Sequence, residues 1–368
     1  MRKIAVLKLG GRIANEGFGI TSFEAVSISK MLSIGGFQVD CFTKITNRDK
    51  PIKELNILEI SDNYNKISGN YDALIVINGN INFYGGTEVP EQLLNLHIIN
   101  NFAGPVFYVF IDTLLPLKNV WNSVTKKPWA KKYKEEDILV KRKDITYITM
   151  CYDTNAVKKI TYKTDINPKN VVYFPFEKYA FFGERLTDIG EKSLDLIYGA
   201  NSFRKKREKK IIKYYFDLPF DINAEFYGKM KIEDFQTKLV AGKLYPEFKP
   251  PVQYKDNLNV LNKSISTLNI SDTFNEGTQL NPRVYETVLS NVVSFMDLDY
   301  DPGKKAFKDK ELQDFLYIKT KDELVNKIRI LKNDKSFMNN IIDLQFQDSF
   351  ISKEDLSNSF CQLVSSLL

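Results

Sequence analysis

Two arginines follow an apolar run in the middle of the chain, at a spacing suited to phosphate binding. The segment YGANSFRKKRE (198–208) joins the end of a strand-like run to a helical stretch that contains Arg204 and Arg207. Its small residues let the backbone approach a ligand, and a helix N-terminus with two guanidinium groups favours a diphosphate. We therefore predict diphosphate binding here, with a solvated basic helix face as the alternative.

A second segment, RVYETVLSN (283–291), places Arg283 and Glu286 three residues apart on the first turn of a predicted helix. Such a pair can hold a nucleotide, because the carboxylate can accept hydrogen bonds from both ribose hydroxyls while the guanidinium meets a phosphate or the base. A surface ion pair at a helix start is the alternative. The first basic segment favours the nucleotide interpretation.

Acid–base chemistry in this chain has to come from carboxylates, because His97 is the only histidine. Asp112 ends the apolar run VFYVFID (106–112) and should emerge at the carboxyl edge of a sheet, where a catalytic base is expected. A turn or cap role is the alternative for Asp112. Glu24 fits a capping box with Thr21, and that structural role alone explains it.

The composition excludes several classes of protein. With 368 residues, of which 43% are hydrophobic, the chain is long enough for two cores. Three widely spaced cysteines, Cys41, Cys151 and Cys361, support neither a disulfide framework nor a zinc site. The glycines of KLGGRIANEGFG (8–19) lack the spacing of a dinucleotide-binding or P-loop motif, which disfavours dehydrogenases and P-loop enzymes.

The charge is modestly basic, with 52 basic and 46 acidic residues and a net charge of +6. A second basic cluster, KKPWAKKYK (126–134), is suited to the phosphates of a cofactor or of nucleic acid. No apolar run approaches the ~20 residues needed to cross a bilayer, and the first residues lack a signal-peptide pattern. We therefore expect a cytoplasmic protein with no membrane partner.

Strand-like runs alternate with helical stretches in two successive cycles, the pattern of parallel strands joined by helices. This predicts an α/β fold with two Rossmann-like domains, at residues 1–180 and 190–345, and a final helix over 350–368 that packs back on the first domain. The predicted strands are 3–9, 39–43, 73–78, 106–112, 145–151, 171–176, 194–200, 222–228, 266–270, 292–298 and 315–319. The predicted helices are 22–34, 204–216, 282–290, one capped by Thr320 and Glu323, and one that begins near Ser352.

Five ordered segments resemble the family of T-even bacteriophage DNA β-glucosyltransferases, which glucosylate 5-hydroxymethylcytosine in phage DNA. The resemblance implies a GT-B fold, in which two Rossmann-like domains face each other across a deep cleft. It also implies inverting transfer of glucose from UDP-glucose to double-stranded DNA, which protects the DNA from restriction. The segments are YDALIVINGNINFYGG (71–86), VFYVFIDTLLP (106–116), KPWAKKYKEEDILVK (127–141), LDLIYGANSFRKKRE (194–208) and RVYETVLSN (283–291).

The same resemblance implies roles for individual residues. Asp112 aligns with the family's catalytic aspartate and Glu24 with a second active-site carboxylate. Because guanidinium groups can offset the diphosphate charge, no metal ion is expected to be strictly required, although a divalent ion could assist product release. A monomer is expected. The implied UDP-binding residues are Gly199, Ser202, Arg204, Arg207, Arg283 and Glu286, and the implied DNA-binding residues are Asn82, Phe83, Tyr84 and Lys127.

The sequence also departs from the family pattern. One extra residue precedes Ser202, Leu114 replaces a basic residue, and residues 229–281 align poorly. The last region helps to shape the nucleotide pocket in the family, so the resemblance defines the donor base and sugar less well than the fold. Two alternatives stay open. The first is the same fold with another donor, such as a pentose, or another acceptor, such as 5-hydroxymethyluracil or glycosylated hydroxymethylcytosine. The second is a non-catalytic protein that binds DNA or a nucleotide.

Overall fold

The computed structural model describes residues 2–8, 23–43, 56–59, 67, 69–77, 97–110, 142–154, 170–199, 207–228, 247–250, 252, 256–271 and 277–368. Its strands are β1 Lys3–Lys8, β2 Gln38–Thr43, β3 Asn56–Glu59, β4 Ala73–Ile77, β5 Val106–Phe110, β6 Thr146–Thr149, β7 Asn170–Tyr173, β8 Leu194–Gly199, β9 Ala224–Tyr227, β10 Glu247–Lys249, β11 Ser264–Asn269, β12 Val293–Asp297 and β13 Tyr317–Ile318. Its helices are α1 Phe23–Ile34, α2 Glu208–Tyr215, α3 Asn257–Asn262, α4 Arg283–Leu289, α5 Lys310–Leu316, α6 Lys321–Asn333, α7 Lys335–Ser349 and α8 Lys353–Leu367, with a 3₁₀ helix at Phe176–Phe182.

The chain forms two compact units. The first comprises Met1–Tyr179 together with Ser352–Leu368, and the second comprises Ala180–Ile351. The first unit has a sheet in the order β3-β2-β1-β4-β5-β6-β7, and the second has a sheet in the order β10-β9-β8-β11-β12-β13. Every described strand pair is parallel.

Both sheets contain the Rossmann strand order. The order reverses between β1 and β4 in the first sheet and between β8 and β11 in the second, and ligands of such sheets bind at the carboxyl ends of the strands beside this point. All five residues of β4 are buried, as expected for a strand covered on both faces. The prediction of an α/β fold with two Rossmann-like domains is confirmed.

Helix α8 completes the core of the first unit. The Phe360 ring packs against Phe174 and Phe176, with centroid distances of 4.9 and 5.4 Å. Cys361 lies against the end of α1, where a Cβ on Gly35 would overlap the Cys361 sulfur, so this close approach requires glycine. Burial raises the pKa of the Cys361 thiol to about 11, which keeps it protonated at neutral pH.

A polar network closes the amino edge of the first sheet. The buried carboxylate of Asp40 accepts hydrogen bonds from Tyr71 Oη at 2.5 Å and Asn56 Nδ2 at 2.6 Å, and the Lys3 ammonium lies 3.1 Å away. Burial raises the pKa of Asp40, but the hydrogen bonds and the Lys3 charge together lower it below its usual value. This network is at the edge opposite the expected ligand site, so its role is structural.

Side-chain caps begin four helices in the second half of the chain. Each cap accepts a hydrogen bond from a backbone N–H in the first turn, which satisfies a group that the helix itself leaves unpaired. The predicted starts at Thr320 and near Ser352 are confirmed, and Glu323 also accepts a hydrogen bond from the Lys319 N–H at 2.9 Å. The four caps are Asp309, Thr320, Asp334 and Ser352.

The predicted strand over 315–319 is wrong in its first half. Asp309 caps α5, which continues through Leu316, and only Tyr317–Ile318 pair with β12. Leu312 and Leu316 are buried on one face of α5, so helical packing outweighs the strand propensity of this apolar run. The predicted strand over 171–176 ends at Tyr173, and a 3₁₀ helix begins at Phe176. The strands β3 and β10 and the helices α3, α5 and α7 were not predicted.

Glu177 is a buried glutamate in the 3₁₀ helix Phe176–Phe182, which contains the boundary between the two units. Glu177 is 3% exposed. Its Oε1 accepts a hydrogen bond from Tyr173 Oη at 3.1 Å, while no described residue bonds to its Oε2. Burial raises the pKa of Glu177 to about 7.

Glu177→Gln is expected to stabilise the protein at pH 8 and to have little effect at pH 4.5. The pKa of Glu177 is higher in the folded protein than in the unfolded chain. The free energy of unfolding of the wild type therefore falls by on the order of 3 kcal/mol as the pH rises from 4.5 to 8. The urea midpoint at the two pH values measures the difference. The exposed Glu191→Gln is the control, and an equal shift in both variants would contradict the assignment.

Candidate functional site

The carboxyl edge of the second sheet brings two predicted site residues into contact. Gly199 is the last residue of β8, beside the reversal point, and Arg283 is the first residue of α4. The Arg283 guanidinium donates a hydrogen bond to the Gly199 carbonyl oxygen, and its Cζ lies 6.0 Å from the centre of the Tyr198 ring. The end of β8 and the start of α4 therefore meet at one point, although they are 84 residues apart in sequence.

The two predicted residues of α4 share its accessible face. Arg283 and Glu286 are partly exposed, whereas the other five residues of α4 are buried. Glu286 lies in the first turn, where its negative charge interacts favourably with the helix dipole. The helix thus presents one cation and one anion at the carboxyl edge, the pair of charges that a phosphate and a ribose require.

Arg207 is the N-cap residue of α2 and is partly exposed. One turn further along, the Lys210 ammonium forms an ion pair with Asp297, the last residue of β12. The other oxygen of Asp297 accepts a hydrogen bond from Tyr214 Oη at 2.9 Å. Burial and the Asp297 charge raise the pKa of Tyr214, so its hydroxyl stays a donor. These contacts fix α2, and with it Arg207, to the end of β12.

A second buried polar network fixes α4 to the sheet. Asn269, at the end of β11, donates to Ser294 Oγ at 2.8 Å and to Thr287 Oγ1 on α4 at 3.5 Å. The hydroxyls of Thr287 and Ser294 lie 2.7 Å apart. Gln345 on α7 joins the network, since its Oε1 accepts from the Ser294 N–H at 3.0 Å. All four side chains are at most 4% exposed.

The remaining predicted residues cannot be placed. Glu24 is in α1, but its side chain lies outside the described residues. The candidate base, two residues of the predicted diphosphate-binding loop and all the predicted DNA-binding residues lie entirely outside the described residues. These are Asp112, Ser202, Arg204, Asn82, Phe83, Tyr84 and Lys127.

Sequence reasoning missed the residues that support the site. Lys210 and Tyr214 follow Arg207 at intervals of three and four residues, which places all three on one face of the basic segment. Asp297 ends an apolar run in the same way as Asp112 does, so the signal used for Asp112 could also have found it. Asn269 gave no signal beyond being a polar residue within the predicted strand 266–270.

The described part of the chain contains neither a cluster of metal-binding side chains nor a membrane-spanning helix. There, no three or more histidine, cysteine or acidic side chains are grouped so as to hold a metal ion. No helix within the same ranges has the length and apolar character needed to span a bilayer.

Both a family model and a curated protein sequence show similarity between this chain and a bacteriophage glucosyltransferase. The model of the family "Bacteriophage T4 beta-glucosyltransferase" matches residues 2–180. The DNA beta-glucosyltransferase of Enterobacteria phage T4 is 27% identical over 350 residues, which are 93% of this chain and 93% of that protein.

Solved structures of the T4 phage enzyme share the fold. The complex of T4 phage BGT with UDP and Mn²⁺ has a TM-score of 0.75 at 25% identity, over 99% of this chain and 97% of that chain. The complex with UDP-glucose has a TM-score of 0.74 at 22% identity over the same shares, which bears on the fold alone. The predicted GT-B fold class is confirmed.

Asn269→Ala is expected to lower the free energy of unfolding by about 2 kcal/mol, because it removes the buried amide that donates to Ser294 Oγ, Thr287 Oγ1 and the Phe295 carbonyl oxygen. Urea denaturation of the purified protein measures the change. The control is Asn223→Ala, whose Nδ2 makes an exposed hydrogen bond to the Ser193 carbonyl at 3.2 Å. Equal effects of the two substitutions would show that the network does not hold α4.

Proposed function

We propose that this chain, which matches the model of the bacteriophage T4 β-glucosyltransferase family over residues 2–180 and is similar to the T4 enzyme over 93% of its length, transfers glucose from UDP-glucose to 5-hydroxymethylcytosine in double-stranded DNA. The observation that carries the proposal is the contact between Arg283 and Gly199 at the reversal point of the second sheet. This contact places the Arg283 guanidinium, the end of β8 and the nearby Glu286 at the position where Rossmann sheets bind nucleotides. The enzyme would act in the cytoplasm of an infected cell, as a monomer, and protect the DNA from restriction.

The second unit is proposed to hold the donor. Arg204, Arg207 and Arg283 would bind the diphosphate, and Glu286 would accept hydrogen bonds from the ribose hydroxyls. Gly199 and Ser202 would belong to the loop whose backbone comes close to the phosphates. Support comes from the described members of this set, since Gly199 and Arg283 are in contact and Arg283 and Glu286 share one helix face.

The proposed chemistry is a single displacement with inversion. The hydroxymethyl oxygen attacks the anomeric carbon, and the bond from that carbon to the UDP oxygen breaks. Asp112 takes the hydroxyl proton, and Glu24 is the second carboxylate of the site. Arg204 and Arg207 offset the charge that develops on the leaving diphosphate. One base is sufficient, because inversion requires no covalent intermediate.

The first unit is proposed to hold the acceptor. A duplex conceals the hydroxymethyl group among stacked bases, so the base has to flip out, at a cost of a few kcal/mol. Asn82, Phe83 and Tyr84 would lie beside the flipped base, and Lys127 would contact the DNA. The lysines of segment 126–134 would hold phosphates, so DNA binding should weaken with salt.

No step of this mechanism passes through a metal ion. The described residues do not form a set of ligands for one. A divalent ion that binds the diphosphate of UDP would supply positive charge to the product and stimulate its release.

Asp112→Asn is expected to lower the transfer rate about 100-fold to 10,000-fold, because the amide cannot accept the hydroxyl proton. The rate is measured by mass spectrometry of nucleosides from 5-hydroxymethylcytosine DNA incubated with a panel of UDP-sugars. The exposed Asp322→Asn is the control. Adduct formation by the Asp112 variant at the wild-type rate would contradict the role of Asp112, and a wild type that forms no adduct from any donor would overturn the assigned substrates.

Arg283→Lys is expected to raise the Kd for UDP about 10-fold to 100-fold, as for a lost hydrogen bond to a charged group. Lysine retains the charge but not the guanidinium fork that can serve Gly199 and a phosphate together. Calorimetry measures the Kd. The matched control is Arg329→Lys, which alters an exposed ion pair with Asp221. Unchanged UDP binding in the Arg283 variant would exclude Arg283 from the donor site.

A further inference from the structure

The segment that leads into α4 is held by a tyrosine from a neighbouring loop. Tyr300 follows β12 and is 1% exposed. Its hydroxyl accepts a hydrogen bond from the Asn281 backbone N–H at 2.6 Å. Its carbonyl oxygen accepts another from the Gly277 backbone N–H at 3.0 Å. One residue therefore fixes both ends of segment 277–281.

This support matters because α4 has no side-chain cap. Its N-cap residue is Pro282, which makes no side-chain capping hydrogen bond. The start of a helix leaves several N–H groups without partners inside the helix, so its position depends on the residues around it. Asn281 directly precedes Pro282, and the Tyr300 hydroxyl thus fixes the backbone two residues before Arg283.

The loop that carries Tyr300 is itself well anchored. The Tyr300 N–H donates to the Asp297 carbonyl at 2.9 Å. The next residue, Asp301, is 0% exposed, and its Oδ2 accepts hydrogen bonds from the Ala306 N–H at 2.9 Å and from the Tyr317 hydroxyl. The end of β12 therefore determines where Tyr300 lies.

The two loops also pack closely at Gly277. This residue has a φ of +67°, and a Cβ added to it would lie 3.3 Å from Pro302 Cγ. Both the backbone conformation and the close approach favour glycine. Segment 277–281 therefore rests on the Tyr300 loop through packing as well as through hydrogen bonds.

We propose that Tyr300 is a positioning residue for nucleotide binding, whose hydroxyl sets the position of Arg283 and Glu286 through segment 277–281. It acts through the backbone and does not touch the nucleotide. The inference rests on the proposed function, since it requires that Arg283 and Glu286 bind the donor.

The test compares the wild type with Tyr300→Phe, which keeps the buried ring and removes only the hydroxyl. The Kd for UDP and the KM for UDP-glucose should rise about fivefold to tenfold, while kcat changes less than about twofold, as for a loss of binding that weakens the ground state and the transition state equally. The matched control is Tyr71→Phe, which removes a hydroxyl bonded to Asp40 in the first unit. It should lower the melting temperature and leave the Kd and KM unchanged.

A second variant keeps the test decisive if Tyr300→Phe fails to fold. Gly277→Ala retains the Tyr300 hydroxyl but strains the segment against Pro302, and it should also raise the Kd for UDP. Unchanged UDP binding in the folded variants, or an equal rise in the Tyr71 control, would overturn the inference. A wild type that does not bind UDP would overturn the proposed function and the inference together, a result visible without any variant.

Discussion

Parallel pairing of the described strands in both sheets determines where the chemistry of this protein can occur. Parallel strands bring their carboxyl ends to one edge, so the loops and helix starts that follow them have to meet there. In the second unit this constraint places Gly199 beside Arg283, despite their distance in sequence. It also places Asp297, at the end of β12, within reach of α2. The candidate site follows from the topology of the sheet.

Topology brings the helices to the edge, and buried polar groups fix their positions. Apolar packing alone tolerates small shifts, whereas hydrogen bonds are directional and costly to leave unmade. The ion pair of Lys210 with Asp297 holds α2, and the contacts of Asn269 with Thr287 and Ser294 hold α4. Arg207 and Arg283 therefore lie at the starts of two helices that are each held to the sheet by hydrogen bonds.

Most strands were predictable, because the central strands of both sheets are continuous apolar runs buried on both faces, as β4 and β12 show. Elements whose identity depends on tertiary contacts were not. The run 315–319 has strand propensity, but Asp309 caps a helix that includes its first two residues. The short strands β3 and β10 carry little apolar signal.

The site was predictable in its residue types but not in its contacts. The spacing of Arg283 and Glu286 showed that they share a helix face. The hydrogen bond from Arg283 to Gly199, however, joins residues far apart in sequence, which no local pattern encodes.

Helix α8 has a consequence for the order in which the two units fold during translation. It is synthesised after the whole contiguous second unit, yet it packs on α1 and Phe174 of the first. During translation, the second unit can fold while the first still exposes the apolar surface that α8 covers. The first unit to be synthesised is therefore the last to finish folding.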